Sequence, residues 1–297
     1  MPKIKPVGVV GLGRMGGPLA IRLSSKRSDI YIWDIDPDIR NEISKKKNLT
    51  VVEPNDMSQK CSIIFFVVPS SKEIKKLFNG KSGILKNRKK GLIVFDLTTS
   101  DPTQTIKLAQ KASENNIFYM DSAMSGGPSG IEKGKLTLMI GGDKKILKKS
   151  QNILSLFTDN IFHLGDVGAG QTMKLIHNMV LHTMFLATCE GARLAEKMGI
   201  SVKDMIDVFN VSTAFSYASK HRFPNNILSG KWNALARIYN MDKDVGLAIK
   251  LARKNKLKVE LGEKTLEFIH KAVSRGMIEK DLSLLYRDFD DIQKMKM

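Results

Sequence analysis

The N-terminal stretch VGVVGLGRMGGPLAIRL, residues 7–23, joins an apolar run to spaced glycines and then to a helical pattern. The run from Val7 to Gly11 predicts a buried strand. Three glycines spaced as G-x-G-x-x-G occupy the following turn: Gly11, Gly13 and Gly16. The first permits a tight turn, the second lets backbone approach a pyrophosphate, and the third lets helix and strand pack closely. The stretch predicts a dinucleotide-binding loop, to which we also assign Met15.

Further apolar runs alternate with helical patterns through the first half of the chain. They are Ile30–Trp33, Ile63–Val68 and Leu92–Phe95. Ile63–Val68 is too uniformly apolar to have one face in water, so these runs predict a parallel sheet covered on both faces. Ser100 or Asp101 is suited to cap a helix that starts at Pro102.

From about Gly170 the pattern indicates helices alone. Residues 171–197 predict one helix about 40 Å long, enough to connect two domains. Three glycines fall within residues 165–170 and mark the boundary. We therefore predict an α/β protein with a Rossmann-type, doubly wound sheet domain over residues 1–167, which binds NAD. An all-helical domain is predicted over residues 168–297, joined by the long interdomain helix.

The composition of the 297 residues is that of a globular protein, with 42% hydrophobic and 26% charged residues. Apolar runs are too short to span a bilayer, and glycines interrupt the first one, which argues against a secretory signal. Cys61 and Cys189 have neither metal-type nor disulfide-type spacing, so we expect a reducing, cytoplasmic environment.

The net charge of +18, from 48 Lys+Arg and 30 Asp+Glu, is high. The lysines are scattered along the chain, which favours a solvated basic surface. The alternative is a positive electrostatic potential that attracts anionic ligands or nucleic acid.

Asp34 follows the second strand about 20 residues after the glycine loop. A carboxylate at this place accepts hydrogen bonds from the ribose 2′-hydroxyl and repels a 2′-phosphate. Because Ile35 rather than an arginine comes next, NAD is favoured over NADP. The alternative is an ordinary turn residue in the acidic run that ends at Asp38.

Lys174 and Asn178 are i,i+4 neighbours on the predicted long helix. A lysine among apolar residues either snorkels to the surface or is desolvated for a function. His177 should point about 100° away from the pair, and no Cys/His/carboxylate cluster has ligand spacing, so we predict no metal. The sequence at residues 125–127 is suited to a backbone nest for a carboxylate or to an ordinary turn.

Seven segments, in order along nearly the whole chain, resemble the β-hydroxyacid dehydrogenases, the family of 3-hydroxyisobutyrate dehydrogenase and tartronate semialdehyde reductase. They are GLGRMGGPLA from Gly11, FVVPSS from Phe66, DLTTSDP from Asp96, DSAMSGGPSG from Asp121, KLTLMIGGD from Lys135, GAGQTMKLIHN from Gly168 and MDKDVGLA from Met241. The resemblance implies a homodimer or homotetramer, in which residues 168–297 form the substrate and dimerisation domain.

The resemblance also implies roles for individual residues. Lys174 matches the family's catalytic lysine, and Asn178 matches the asparagine that orients the substrate. The residues that match the substrate site are Ser125, Gly126, Gly127 and Thr99. The further residues that match the cofactor site are Val68, Pro69, Thr98 and Lys243.

Together these residues predict an NAD-dependent oxidoreductase of the EC 1.1.1 type. It would interconvert a small β-hydroxyacid and the corresponding semialdehyde or ketoacid, with Lys174 as general acid and base. We expect a small carboxylate as substrate and neither a specific nucleic acid nor a membrane as partner. Two alternatives stay open: a non-catalytic, basic nucleic-acid-binding protein on a Rossmann scaffold, and an NADPH-dependent semialdehyde reductase.

Overall fold

The computed structural model describes residues 6–80, 83–85 and 90–295. The chain divides into two compact units, Met1–Lys174 and Leu175–Met297. The first contains a sheet with helices, and the described part of the second contains helices without a named strand. This confirms the predicted α/β class, a Rossmann-type sheet domain followed by an all-helical domain. The division between the units falls inside the long helix, whereas the predicted boundary at 167/168 lies just before it.

The described residues form one sheet of eight strands. These are β1 (Val7–Val10), β2 (Ile30–Trp33), β3 (Leu49–Val51), β4 (Ile63–Phe66), β5 (Ile93–Asp96), β6 (Phe118–Ser125), β7 (Leu136–Gly141) and β8 (Thr158–His163). Their order is β3-β2-β1-β4-β5-β6-β7-β8, and every neighbouring pair is parallel except β6 with β7. The strand order reverses direction between β1 and β4, the place where open sheets bind ligands at the carboxyl ends of their strands.

Both faces of the sheet are covered by apolar side chains. Along β4, Ile63 and Phe65 pack into one hydrophobic core of the unit, whereas Ile64 and Phe66 pack into another. All four residues are buried. Alternate side chains of a strand point to opposite faces, so this division is what a sheet between two helical layers requires.

Four strands, β3, β6, β7 and β8, were not predicted from the sequence, although an apolar segment, Ile117–Met120, overlaps the start of β6. β3 has three residues and two of them are exposed, and β8 carries exposed Asp159 and Asn160. Short or edge strands bury too few side chains to give a clear apolar pattern. β7 does place buried leucines at alternate positions. Its antiparallel direction beside β6, however, depends on how the chain folds and not on this pattern.

Seven helices accompany the sheet in the described part of the first unit. They are α1 (Gly16–Ser24), α2 (Pro37–Ser44), α3 (Pro54–Lys60), α4 (Ser71–Asn79), α5 (Pro102–Ser113), α6 (Gly127–Lys133) and α7 (Lys144–Leu154). Asp101 caps α5, because its side chain accepts a hydrogen bond from the Thr103 amide at 2.8 Å. Of the two predicted caps the structure therefore uses Asp101, with Pro102 at the first helical position.

The long helix α8 (Ala169–Lys197) begins in the first unit and continues into the second. The second unit then contains α9 (Val202–Val211), a π-helical segment (Ala218–Leu228), α10 (Ile238–Lys254), α11 (Glu260–Ser274), α12 (Leu284–Arg287) and α13 (Phe289–Gln293). Their apolar faces enclose a core of their own, in which α8 contributes Phe185, Cys189 and Ala192. These three residues are spaced by four and three positions and share one helical face.

Two carboxyl groups are buried where β5 and β6 pair. Asp96 is the register partner of Asp121, and both are fully buried. The Tyr119 hydroxyl donates to Asp96 Oδ2 at 2.8 Å, and the Thr98 amide donates to Asp96 Oδ1 at 3.0 Å. Burial raises the pKa of Asp96 to about 7, although both hydrogen bonds act in the opposite direction.

We expect the free energy of unfolding to fall as the pH rises toward neutrality. Asp96→Asn should reduce this fall. An unfolded aspartate releases its proton near pH 4, whereas Asp96 in the fold keeps it to a pKa of about 7. Between these values the folded state binds more protons, so the free energy of unfolding falls with rising pH, from about pH 5 to 8 by about 2 kcal/mol. Urea unfolding at both ends of this range measures the difference.

Asp159→Asn, on exposed β8, is the matched control and should keep the wild-type pH dependence. An Asp96→Asn protein whose free energy of unfolding changes with pH as much as that of the wild type would contradict the assignment.

Candidate functional site

The glycine loop connects β1 to α1 with close contacts at its first and third glycines. Gly11 has a φ of +92°, and a Cβ on it would lie 2.3 Å from the Val67 carbonyl oxygen. A Cβ on Gly16 would lie 1.8 Å from the Gly11 carbonyl oxygen. Around Gly13 no described heavy atom comes within 4 Å of such a Cβ. This open backbone position fits the approach of a pyrophosphate.

Met15 immediately precedes α1, and its half-buried side chain packs against the first hydrophobic core. No side chain caps this helix start, and its first turn carries no acidic residue. Amide groups and the positive end of the helix dipole at such a terminus favour a phosphate.

Asp34 lies beside the glycine loop, directly after β2. Its Oδ2 accepts a hydrogen bond from the Leu12 amide at 2.5 Å, and its Oδ1 accepts one from the Asp36 amide at 2.9 Å. The carboxylate therefore links the end of β2 to the loop after β1. Two predicted cofactor elements, the loop and this aspartate, are in direct contact.

Arg40 is a neighbour of Asp34 that the sequence analysis missed. Its Nη1 donates to the Asp34 carbonyl oxygen at 2.6 Å, and its guanidinium carbon lies 5.9 Å from the centroid of the Trp33 ring. The prediction of cofactor preference rested on the residue directly after Asp34, which is not an arginine. Arg40, one turn into the following helix, could also have been considered from the sequence.

Four predicted site residues follow β4 and β5 at the same edge of the sheet as the glycine loop. They are Val68, Pro69, Thr98 and Thr99. The Val68 amide donates to Thr98 Oγ1 at 3.4 Å, which joins the two loops. Thr98 is buried and Pro69 is exposed.

The predicted carboxylate loop begins where β6 ends. Ser125 is the last residue of β6 and pairs with Thr137 of β7. Gly126 and Gly127 have φ of +125° and +64°, and α6 starts at Gly127. Since β5 and β6 are parallel, this loop leaves the sheet in the same direction as the loop of Thr98. Positive φ is a conformation that glycine adopts without strain, so both glycines fit this turn.

Lys174 and Asn178 lie one turn apart on α8 and are 9% and 7% exposed. Gln171, three residues before Lys174, is fully buried. Residues three or four apart share a helical face, so these three side chains form one buried polar stripe.

Asn178 is anchored by α10. Its Nδ2 donates to Oδ2 of Asp244 at 2.6 Å, and Nζ of Lys243 lies 2.8 Å from the other oxygen of this carboxylate. Nδ1 of His177 lies 2.9 Å from Oδ1 of Asn178, and because an amide oxygen only accepts, we assign the ring proton to Nδ1. The second unit thus brings together two predicted residues, Asn178 and Lys243, with Asp244 between them.

Asp244 was not among the predicted site residues, and His177 was expected to point about 100° away from Lys174 and Asn178. The amide of Asn178 nevertheless reaches the ring of His177, its neighbour on the helix. Asp244 was visible only as part of a Lys-Asp pair, and its contact with a residue 66 positions away required the fold.

The described ranges contain no group of three or more His, Cys, Asp or Glu residues arranged to hold a metal ion. Cys61 and Cys189 are both buried, and neither forms a disulfide. In the part of the chain that the structure describes, no helix has the length and apolar character needed to cross a membrane.

Two family sequence profiles match the chain. One describes the NAD-binding domain of 6-phosphogluconate dehydrogenase and covers residues 6–165. The other describes the NAD-binding region of NADP-dependent 3-hydroxyisobutyrate dehydrogenase and covers residues 168–289.

Curated relatives are similar over almost the whole chain. The 2-(hydroxymethyl)glutarate dehydrogenase of Eubacterium barkeri is 27% identical, across 98% of this chain and 97% of its own length. The mitochondrial 3-hydroxyisobutyrate dehydrogenase of Rattus norvegicus is 30% identical, across 95% of this chain and 86% of its own.

The fold is similar to that of Mycobacterium tuberculosis 3-hydroxyisobutyrate dehydrogenase, solved with L-serine, with a TM-score of 0.87 at 22% identity. That comparison covers 96% of this chain and 99% of the other. The first profile alone spans more than half of the residues, and the predicted resemblance is confirmed. The chain therefore belongs to the β-hydroxyacid dehydrogenase family, whose members are nicotinamide-dependent oxidoreductases of small hydroxyacids.

Proposed function

We propose that this oxidoreductase interconverts a small β-hydroxyacid, R-CHOH-CHR′-COO⁻, and the corresponding semialdehyde or ketoacid. NAD is the proposed hydride acceptor, and Lys174 is the proposed general acid and base. The observation that carries the proposal is the burial of the Lys174 side chain one helical turn from buried Asn178. Lysine is rarely buried to this degree unless the amine has a partner or a task.

The geometry of the glycine loop supports a dinucleotide as cofactor. Open space at Gly13 suits the pyrophosphate, and the uncapped start of α1 suits its charge. When bound, NAD supplies the ring that accepts the hydride. Val68, Pro69 and Thr98 are proposed to flank that ring, because the loops after β4 and β5 leave the sheet at its ligand-binding edge.

Asp34 supports NAD rather than NADP. Its carboxylate already accepts two backbone amides and keeps acceptor capacity for a ribose hydroxyl, since each carboxylate oxygen has two lone pairs. A 2′-phosphate would meet this negative charge. Arg40 has the opposite effect, because its guanidinium lies beside the same residue. It makes an NADPH-dependent semialdehyde reductase the second candidate.

Oxidation of the hydroxyl requires a proton to leave oxygen as the hydride leaves carbon. We propose that the neutral amine of Lys174 takes this proton and that the ammonium returns it in the reverse direction.

Asn178 is proposed to orient the reacting oxygen. An amide nitrogen carries two N–H donors, and Asp244 accepts one of them. The second N–H is then available for the substrate oxygen in a fixed direction. Lys243, held by the same carboxylate, is proposed to contact the cofactor.

The substrate carboxylate is proposed to bind at the loop of Ser125, Gly126 and Gly127, with Thr99 lining the same site. The homodimeric or homotetrameric assembly and the cytoplasmic location stay predictions.

We expect NADH formation from at least one small hydroxyacid. The panel combines acids named by the relatives, 3-hydroxyisobutyrate and 2-(hydroxymethyl)glutarate, with L-serine, glycerate, 4-hydroxybutyrate and threonate. Absorbance of the reduced nicotinamide reports turnover with NAD or NADP, and the semialdehydes test the reverse direction. Absence of turnover with every pair, in both directions, would refute the proposed substrate class.

We expect Lys174→Ala to lower kcat on the order of 10²- to 10⁴-fold, the usual contribution of proton transfer, without weakening NADH binding. Lys174→Arg should be equally inactive, because a guanidinium keeps its proton at neutral pH. Steady-state kinetics and NADH fluorescence titration measure the two effects.

Lys148→Ala, on the exposed side of α7, is the matched control and should retain wild-type turnover. Substantial activity in Lys174→Arg would assign the lysine a role as a fixed charge rather than as a base.

We expect Asp34→Asn to narrow the preference for NAD over NADP by about 10- to 100-fold, the value of one hydrogen bond to a charged group. Asparagine keeps one acceptor for the loop amides but removes the charge that repels a phosphate. The ratio of kcat/KM with the two cofactors is the measurement.

Adding Arg40→Leu to Asp34→Asn should remove the gained NADP activity. The Arg40 guanidinium hydrogen-bonds the Asp34 carbonyl oxygen and is the cation expected to attract the 2′-phosphate. Arg40→Leu alone should leave NAD turnover close to wild type. A wild-type chain that prefers NADP would overturn the role assigned to Asp34.

A further inference from the structure

The first turn of α8 is held by a side chain from the sheet. Asp121 of β6, fully buried, accepts the Gly168 amide at its Oδ1 and the Gln171 amide at its Oδ2, each at 2.8 Å. The first amides of a helix have no partner within the helix. One carboxylate, 47 and 50 residues earlier in the chain, therefore satisfies two of them.

The backbone of this turn lies directly against the sheet. A Cβ on Gly170 would lie 2.3 Å from the Met139 carbonyl oxygen and 2.8 Å from that of Asp121. On the sheet side, a Cβ on Gly141 would lie 2.4 Å from Asp121 Oδ1. Because no side chain separates them, a small movement of the Asp121 carboxylate is transmitted to the helix backbone.

Gln171 connects the same turn to the loop after β5. Its Oε1 accepts the Ser100 amide at 3.0 Å, and its Nε2 donates to the Thr98 carbonyl oxygen. Thr98 is in turn held by Asp96 at the end of β5. The turn that precedes Lys174 is thus bonded to the loop that carries two candidate site residues, Thr98 and Thr99.

Lys174 follows Gln171 by three residues and Gly170 by four, so it shares their helical face. Its side-chain direction is therefore set by the rotation and axial position of the first turn. In helix geometry one residue corresponds to about 100° of rotation and 1.5 Å of rise, so a slip of a fraction of a residue moves the amine by about 1 Å.

We propose that Asp121, together with Gln171, is a positioning pair that fixes the amine of Lys174 relative to the loop of Thr98 and Thr99. This inference rests on the proposed role of Lys174. Asp121 does not touch substrate or cofactor in this scheme but acts through the helix. Backbone amides at a helix start favour a carboxylate, and they lower the pKa of Asp121 against the larger effect of burial, which raises it.

The test is Asp121→Asn, alone and combined with Lys174→Ala. Asparagine keeps the size of the side chain but offers one acceptor where two amides need partners. We expect kcat for the best acid of the panel to fall on the order of 10- to 100-fold, as for a displacement of about 1 Å at a reacting group. The dissociation constant of NADH should stay unchanged, and the double variant should be no slower than Lys174→Ala.

Asp143→Asn is the matched control. Asp143 caps α7 through the Lys145 and Ile146 amides, and that helix carries no residue assigned to the site. Its kcat should equal that of the wild type. Hydrogen exchange measures the cap without substrate: peptides covering residues 166–175 should exchange faster in Asp121→Asn and not in Asp143→Asn.

The outcomes separate this inference from the proposed function. If Lys174→Ala retains turnover, the proposed function fails. If that variant is inactive while Asp121→Asn keeps wild-type kcat, or if the two losses multiply, Asp121 does not act through Lys174 and the positioning role is overturned.

Gln171→Met serves where Asp121→Asn does not fold, because it leaves the carboxylate and both capped amides in place. It should lower kcat at unchanged NADH affinity and should add nothing to the loss caused by Lys174→Ala. Wild-type kcat in a folded Gln171→Met protein would remove Gln171 from the pair. Where Asp121→Asn does fold, unaltered exchange of residues 166–175 in that variant would overturn the positioning role of Asp121.

Discussion

Parallel pairing of β1 with β4 is the constraint on which the site of the first unit depends. It directs the loops after both strands to one edge of the sheet, however far apart they are in the chain. The pairing leaves no space for a side chain at Gly11, where a Cβ would lie 2.3 Å from the Val67 carbonyl oxygen after β4. The backbone amides that suit a pyrophosphate are therefore products of strand packing.

Carboxylates hold the loops at this edge. Asp34 binds the glycine loop through Leu12, Asp96 binds the loop of Thr98, and Asp121 binds the start of α8. Burying a carboxylate costs free energy unless backbone donors satisfy it, and those donors lie in the segments that carry the candidate site. The pKa of about 7 for Asp96 shows that burial outweighs its hydrogen bonds.

The second unit uses the same physical principle with a different element. Asp244 of α10 accepts the Asn178 amide and pairs with Lys243, so one buried carboxylate determines the direction of an amide and of an ammonium. His177 holds the amide oxygen from the other side. An asparagine with both ends bound cannot exchange its oxygen and nitrogen positions, which suits the role proposed for Asn178.

The glycine spacing, the buried strands and the shared face of Lys174 and Asn178 follow from residues close together in the sequence. The periodicity of a strand or helix determines the direction in which each side chain points. The sequence pattern was therefore sufficient to predict these features. Arg40 was within reach of the same reasoning. The partners of Asp121, Gln171 and Asn178 lie 47, 73 and 66 positions away. A hydrogen bond requires donor and acceptor within about 3 Å and in line, and only the folded path of the chain, through strand register and helix contact, brings such distant groups to that geometry.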